Sequence, residues 1–168
     1  METSLRYRGD SRAGLRLHAK ERFPANSSTH LLVHGELDTR YGAPNYFSAI
    51  IRHSFSDFFG TVGVGVKYDK QEKLRYCARG KRAFPVTSDN VLSFIVKGSC
   101  NSDKDFKQPK YNGAAELSWS IFNFQNDQDV RLKVGYELVE KVPYFQIREN
   151  NWTLNADING RWNVRFDL

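Results

Sequence analysis

Residues 73–79, KLRYCAR, place cations at Lys73, Arg75 and Arg79 and apolar or small side chains at Leu74, Tyr76 and Ala78. Successive side chains of a β-strand point to opposite faces. The segment therefore predicts a strand with one cationic face and one apolar face. The alternation continues on either side. Leu5 and Tyr7 alternate with Arg6 and Arg8, and Leu15, Leu17 and Ala19 with Arg16, His18 and Lys20. Val62, Val64, Val66 and Tyr68 alternate with Thr61, Gly63, Gly65 and Lys67, and Leu92, Phe94 and Val96 with Ser93, Ile95 and Lys97. The C-terminal RWNVRFDL sets Trp162, Val164 and Phe166 against Arg161, Asn163 and Arg165. Two positions depart from the rule. Leu32 falls among the polar positions of THLLVHGEL, and Arg82 falls on the apolar parity, which predicts a β-bulge near Gly80.

Turn signals punctuate the strands: Gly9 to Ser11, Pro24 to Ser28, Asp38 to Asn45, Ser56-Asp57, Asp69 to Glu72 and Thr87 to Asn90. They continue at Gly98 to Asn112, Gln125 to Gln128, Glu140 to Pro143, Glu149 to Asn151 and Asn159-Gly160. Such spacing predicts a meander of about twelve strands. No helical stretch, linker or internal repeat interrupts it, so residues 1–168 read as one domain.

The chain carries 25 Lys+Arg against 19 Asp+Glu, a net charge of +6, which implies an anionic partner without naming it. No run of about 18 apolar residues exists, so no transmembrane helix is expected. A mean hydropathy of −0.59 does not exclude a membrane barrel, whose strands face water on one side. METSLRYRGD lacks the apolar core of a signal peptide, and the mature chain is expected to begin at its first strand. Cys77 and Cys100 form no disulfide framework.

Period-two patterning leaves open whether the apolar face lines a core or meets lipid. The aromatics favour lipid. Tyr7, Phe23, Phe55, Phe58, Tyr68, Phe84, Trp119, Tyr136, Trp152 and Trp162 lie on the apolar parity, many near strand ends, where membrane barrels carry aromatic girdles. The polar parity carries most of the cations and few acids, a one-sign surface that repels itself unless it serves an anion. A soluble lipocalin-like barrel would leave that face to solvent, with no reason to exclude acids. A single-strand nucleic-acid binder would mix stacking rings with charge on one face.

Other chemistry finds little support. His30 and His34 lie about 13 Å apart along a strand, too far to share an ion. GTVGVGV has no Lys-Ser/Thr after it and is neither a Walker loop nor a dinucleotide fingerprint. Its glycines are expected to allow a bend or make room for a long neighbour. No nucleophile elbow is present, and neither catalysis, a metal nor a cofactor is expected.

Long strings carry a resemblance along nearly the whole chain: METSLRYRGD, LDTRYGAP, IRHSFSDFFGTVGVGVKYDKQEKLRY, FPVTSDN, FNFQNDQDVRL and VPYFQIRENNWTLNADINGRWNVRFDL. Together they resemble the smallest of the plastid outer-envelope pore proteins. The resemblance implies an all-β transmembrane antiparallel barrel in the chloroplast outer membrane. It implies an anion-selective, rectifying channel for triose phosphates, phosphoglycerate, phosphate and nucleotides, with ATP acting on the same pore. The partners it implies are phosphorylated solutes, ATP and membrane lipid, with a homo-oligomer compatible and no nucleic acid expected. With that fold, the polar parity nominates a cationic lumen lined by Arg16, Lys20, Arg52, Lys67, Lys73, Arg75, Arg79, Lys81, Arg131, Lys133, Arg148, Arg161 and Arg165. About twelve strands tilted near 45° enclose a backbone radius of about 12 Å. An even number lets the first strand, with Arg6 and Arg8, pair with the last, with Arg161 and Arg165.

Overall fold

The computed structural model describes residues 1–9, 14–40, 42–57, 59–69, 73–123 and 128–168. Twelve strands follow in order: β1 (Glu2–Arg8), β2 (Gly14–Pro24), β3 (Thr29–Asp38), β4 (Ala43–Phe55), β5 (Gly60–Asp69) and β6 (Lys73–Pro85), then β7 (Leu92–Ser102), β8 (Lys110–Asn123), β9 (Gln128–Glu137), β10 (Val142–Glu149), β11 (Trp152–Asp157) and β12 (Trp162–Asp167). Each pairs antiparallel with its chain neighbours, and β1 pairs with β12 to close a barrel. Closure removes the sheet edges, the requirement for crossing a bilayer with strands. Among the described residues, no helix is long and apolar enough to cross a membrane.

Register carries the alternation around the wall. Leu5 stands opposite Leu17 and Phe166, while Arg6 stands opposite Arg16 and Arg165. The apolar parity faces outward along the strands: Val64 is 54% exposed and Val134 59% exposed at mid-strand. An apolar outside around a cationic inside is the arrangement for lipid, the inverse of a soluble barrel. Both chain ends leave at one rim, where the Leu168 amide donates to the Thr3 carbonyl at 3.0 Å. That rim carries Phe23, Phe55, Phe84, Phe94, Trp119 and Trp152 on its outside, all exposed. The opposite rim carries Tyr7, Tyr68, Tyr111, Tyr136 and Trp162, also exposed. Two aromatic girdles result, one rich in Phe and one in Tyr. Phe58, expected in a girdle, lies outside the described residues.

The glycine run in β5 lets the strand lie close against the β4 backbone. A Cβ on Gly65 would lie 2.1 Å from the Ala49 carbonyl oxygen and 2.6 Å from the Ile50 Cα. Both are backbone atoms of β4, so no side-chain rotation relieves the contact. Gly65→Ala is expected to destabilise the barrel by about 1–3 kcal/mol through overpacking. Gly80→Ala, whose Cβ meets nothing within 4 Å, should leave stability unchanged. Urea unfolding in micelles compares the two; equal stability of both variants would contradict the close approach.

Several local expectations are corrected. The turn expected over Gly98 to Asn112 is shorter, because β7 runs to Ser102 and β8 begins at Lys110. Gly80 pairs with Val62 and Gly98 in unbroken register, so no bulge forms there. Arg82 stays on the outer face near the rim, with its guanidinium carbon 4.6 Å from the Phe84 ring centroid. The register shift falls instead between Glu36 and Leu37. Of the turns expected at Asp69 to Glu72, Gln125 to Gln128 and Gly9 to Ser11, Asp69 ends β5 and Gln128 begins β9, Gly9 is described, and the other residues lie outside the described set.

Candidate functional site

The inward parity builds a belt of arginine. Arg16, Arg6 and Arg165 stand in one hydrogen-bonding row across β2, β1 and β12. The row continues through Thr153 on β11 to Arg148 and Arg131 on β10 and β9. Neighbouring strands lie about 4.8 Å apart, so these guanidinium stems are adjacent. Like charges directly opposite one another destabilise a sheet. Acids offset only part of this charge. Arg165 pairs with Asp167 at 2.6 Å, Arg148 reaches Asp167 at 3.7 Å, and Arg16 pairs with Glu36 at 2.6 Å. Arg6 meets no carboxylate within 4 Å among the described residues, and its Nε is buried without a hydrogen-bond partner. Along this wall lies a cavity of about 650 Å³, lined by Arg6, Arg8, Arg131, Lys133, Arg148, Arg161 and Arg165 with Asp157 and Asp167.

A second cavity, about 360 Å³, lies against β4–β9. Arg52, Lys67, Arg79, Lys81 and Lys97 line it, with Glu137 the acid among its lining residues. Lys81 and Lys97 stand directly opposite each other in the ladder. Arg52, Arg79 and Lys81 form no ion pair within 4 Å among the described residues. Lys67 donates to Asn101 Oδ1 at 2.6 Å.

Two carboxylates lie between these cationic walls, Glu116 buried and Glu36 half-buried. Glu116 accepts from Lys97 Nζ at 2.5 Å and from the Tyr144 hydroxyl. The Tyr144 ring lies over Gly135, where a Cβ would meet ring carbon at 2.3 Å. Glu36 pairs with Arg16, lies 3.4 Å from His18 Nε2 and accepts from Asn45 at 3.3 Å. His18 Nδ1 lies 3.1 Å from His34 Nε2, with the two rings stacked. No group of three His, Cys, Asp or Glu able to hold a metal occurs among the described residues. Leu32, Ile50 and Ile95 also point inward and are buried, so apolar side chains fill part of the expected bore.

A closed wall with lipid outside and unpaired cations inside is a pore architecture, and comparison with known proteins agrees. The family model described as chloroplast outer envelope pore protein OEP21 matches residues 3–168. The chain belongs to that family. It is similar to outer envelope pore protein 21A, chloroplastic, of Arabidopsis thaliana, with 57% identity over the full length of both chains. The pea protein, outer envelope pore protein 21, chloroplastic, is 56% identical, again over all of both chains. The corresponding protein of Oryza sativa subsp. indica is 40% identical over all of both. Membership makes the chain a pore protein of the chloroplast outer envelope and not an enzyme.

Within this outer-envelope barrel, the residues nominated from parity distribute unevenly. Arg52, Lys67, Arg79 and Lys81 meet in the second cavity, and Arg131, Lys133, Arg148 and Arg165 in the first. Arg16 is inward but engaged by Glu36, and Lys20 is held at the terminal rim by Glu2 at 2.5 Å. Arg75 faces inward opposite Lys67. Lys73 is inward by register; its side chain lies outside the described set. Arg161 is a rim residue, preceding β12 and bonded to Asp157 at 2.6 Å and Glu140 at 3.0 Å. The nomination omitted Arg6, Arg8 and Lys97, although alternation with Leu5, Tyr7 and Val96 marks all three. The inward face also holds more acid than its sequence reading expected. Asp129, Asp157 and Asp167 stand at strand ends, while Glu36 and Glu116 sit deeper.

Proposed function

We propose that this pore is anion-selective and passes phosphorylated metabolites of triose-phosphate size, and that ATP binds within it. The belt Arg16–Arg6–Arg165–Arg148–Arg131 supports the reading most directly. Rings of Arg and Lys set anion and phosphate selectivity in pores. A guanidinium fork matches two phosphate oxygens at once, so the wall offers transient sites as well as a field. Conduction needs binding that is weak and distributed, and two cationic cavities distribute it. A triphosphate touches more of these groups than a triose phosphate, so it dwells longer and obstructs the smaller solute.

ATP affinity should fall severalfold from low to high salt, because ions at about 0.15 M screen charge over about 8 Å. Displacement of a fluorescent nucleotide by ATP, triose phosphate and a neutral triose at two salt concentrations measures it. Equal affinity for the neutral sugar, or indifference to salt, would overturn the reading.

A further inference from the structure

On the outer face of the wall, Gly80 and Gly98 stand side by side on β6 and β7. They interrupt the apolar coat with a trough whose floor is bare backbone. The trough has a volume of about 860 Å³, within the range of small-molecule sites. Val62, Phe84, Val96 and Tyr111 are among its walls. A Cβ on Gly80 would touch nothing within 4 Å, and one on Gly98 only the Asn112 carbonyl oxygen at 3.8 Å. The barrel's own side chains therefore do not fill this space.

Arg82 borders the same trough, two residues from Gly80 toward the terminal rim. Every other described arginine carried on a strand points into the lumen by register. Arg82 alone among them faces lipid. It stands opposite Gly60, the first residue of β5, so its depth is close to the membrane–water boundary. A long cationic side chain there lays its stem on apolar surface and carries its head to the phosphate level.

We propose that this trough binds one anionic phospholipid, with an acyl chain over the glycines and the phosphate at Arg82. The two halves of the site match the two halves of that ligand. Apolar walls take hydrocarbon, and a guanidinium takes phosphate oxygens. A second copy of the chain fits poorly. Twofold pairing would set trough against trough, leave both unfilled and oppose two Arg82 side chains. The proposal is independent of which solutes the lumen passes.

The test is native mass spectrometry of the barrel from micelles containing equal phosphatidylglycerol and phosphatidylcholine. Wild type should retain one phosphatidylglycerol, with a preference over phosphatidylcholine of about fivefold, the worth of one basic residue at an anionic surface. R82Q should lose the preference while keeping the barrel. G80L with G98L should fill the trough and lose retention of both lipids, and R82Q alone decides the matter if that variant fails to fold. Equal retention of phosphatidylglycerol by wild type and R82Q overturns the proposal. So does efficient bismaleimide crosslinking of two chains through Cys100, which borders the trough, if G80L abolishes it. That result would make a second copy the occupant.

Discussion

Arg131→Glu combined with Arg148→Glu is expected to abolish or invert anion preference while leaving a folded barrel. The two residues face each other on β9 and β10 and both line the first cavity. Seven cations and two aspartates line that cavity, a formal charge of +5, and the double reversal leaves +1. Two unit charges about 6 Å apart in water interact by about 0.7 kcal/mol. Four units of change therefore come to about 2–3 kcal/mol before screening, and about tenfold in relative permeability after it. The reversal potential in a salt gradient across a planar bilayer reads the ratio. Lumen substitutions tune selectivity without a lipid-exposure penalty, so folding in detergent should persist. Unchanged anion preference in a folded double variant would remove this wall from the permeation path.

Val64→Arg combined with Val134→Arg should prevent stable insertion. Both residues sit at mid-strand on the outer face, more than half exposed to lipid. An arginine at the bilayer midplane costs about 2–4 kcal/mol, so the pair costs about 4–8 kcal/mol. That rivals the whole stability of a typical domain, about 5–15 kcal/mol. Leu74→Arg is the internal control. It lies on the same face but opposite Tyr68 in the tyrosine girdle, where the cost falls to about 0–1 kcal/mol. Unfolding in lipid vesicles should rank the control near wild type and the double variant far below. Equal loss in both would mean that depth does not govern this surface.

The contrast between Val64 and Leu74 also shows what alternation conveys. Parity assigns each side chain to a face, because a strand has only two. It therefore made the cationic inside, the apolar outside and the closing of β1 on β12 legible in residues such as Arg6 and Phe166. Parity carries no depth and no partner. Arg8 closes against Asn163, whereas alternation alone had grouped it with Arg161 and Arg165. His34 finds no partner in His30 on its own strand by spacing, yet its ring stacks on His18 across the β2–β3 ladder. Leu32 looked like an error of alternation until register set it against Ile50 inside the wall. Arg82 is the converse case. A bulge would have returned it to the lumen, but proximity to the rim makes the outer face tolerable without one. Each of these features depends on inter-strand register, which a one-dimensional pattern does not contain.

The hydrogen bond from Leu168 to Thr3 has a consequence for the chain as a polymer. Its two ends meet, so the barrel is topologically a ring with a single cut, and nothing in the ladder marks β1 as a beginning. Every other junction can zip as a local hairpin; the β1–β12 seam must join segments from opposite ends of the sequence. Closing so long a loop carries the largest entropy of any pairing in the molecule. A circular permutant with residues 1 and 168 joined by a short linker and new ends opened between Thr87 and Asn90 keeps every strand neighbour. It turns the old seam into a hairpin and makes β6–β7 the long-range junction. Such a chain should reach the same closed wall by a different order of assembly, with the slow step displaced from one side of the barrel to the other.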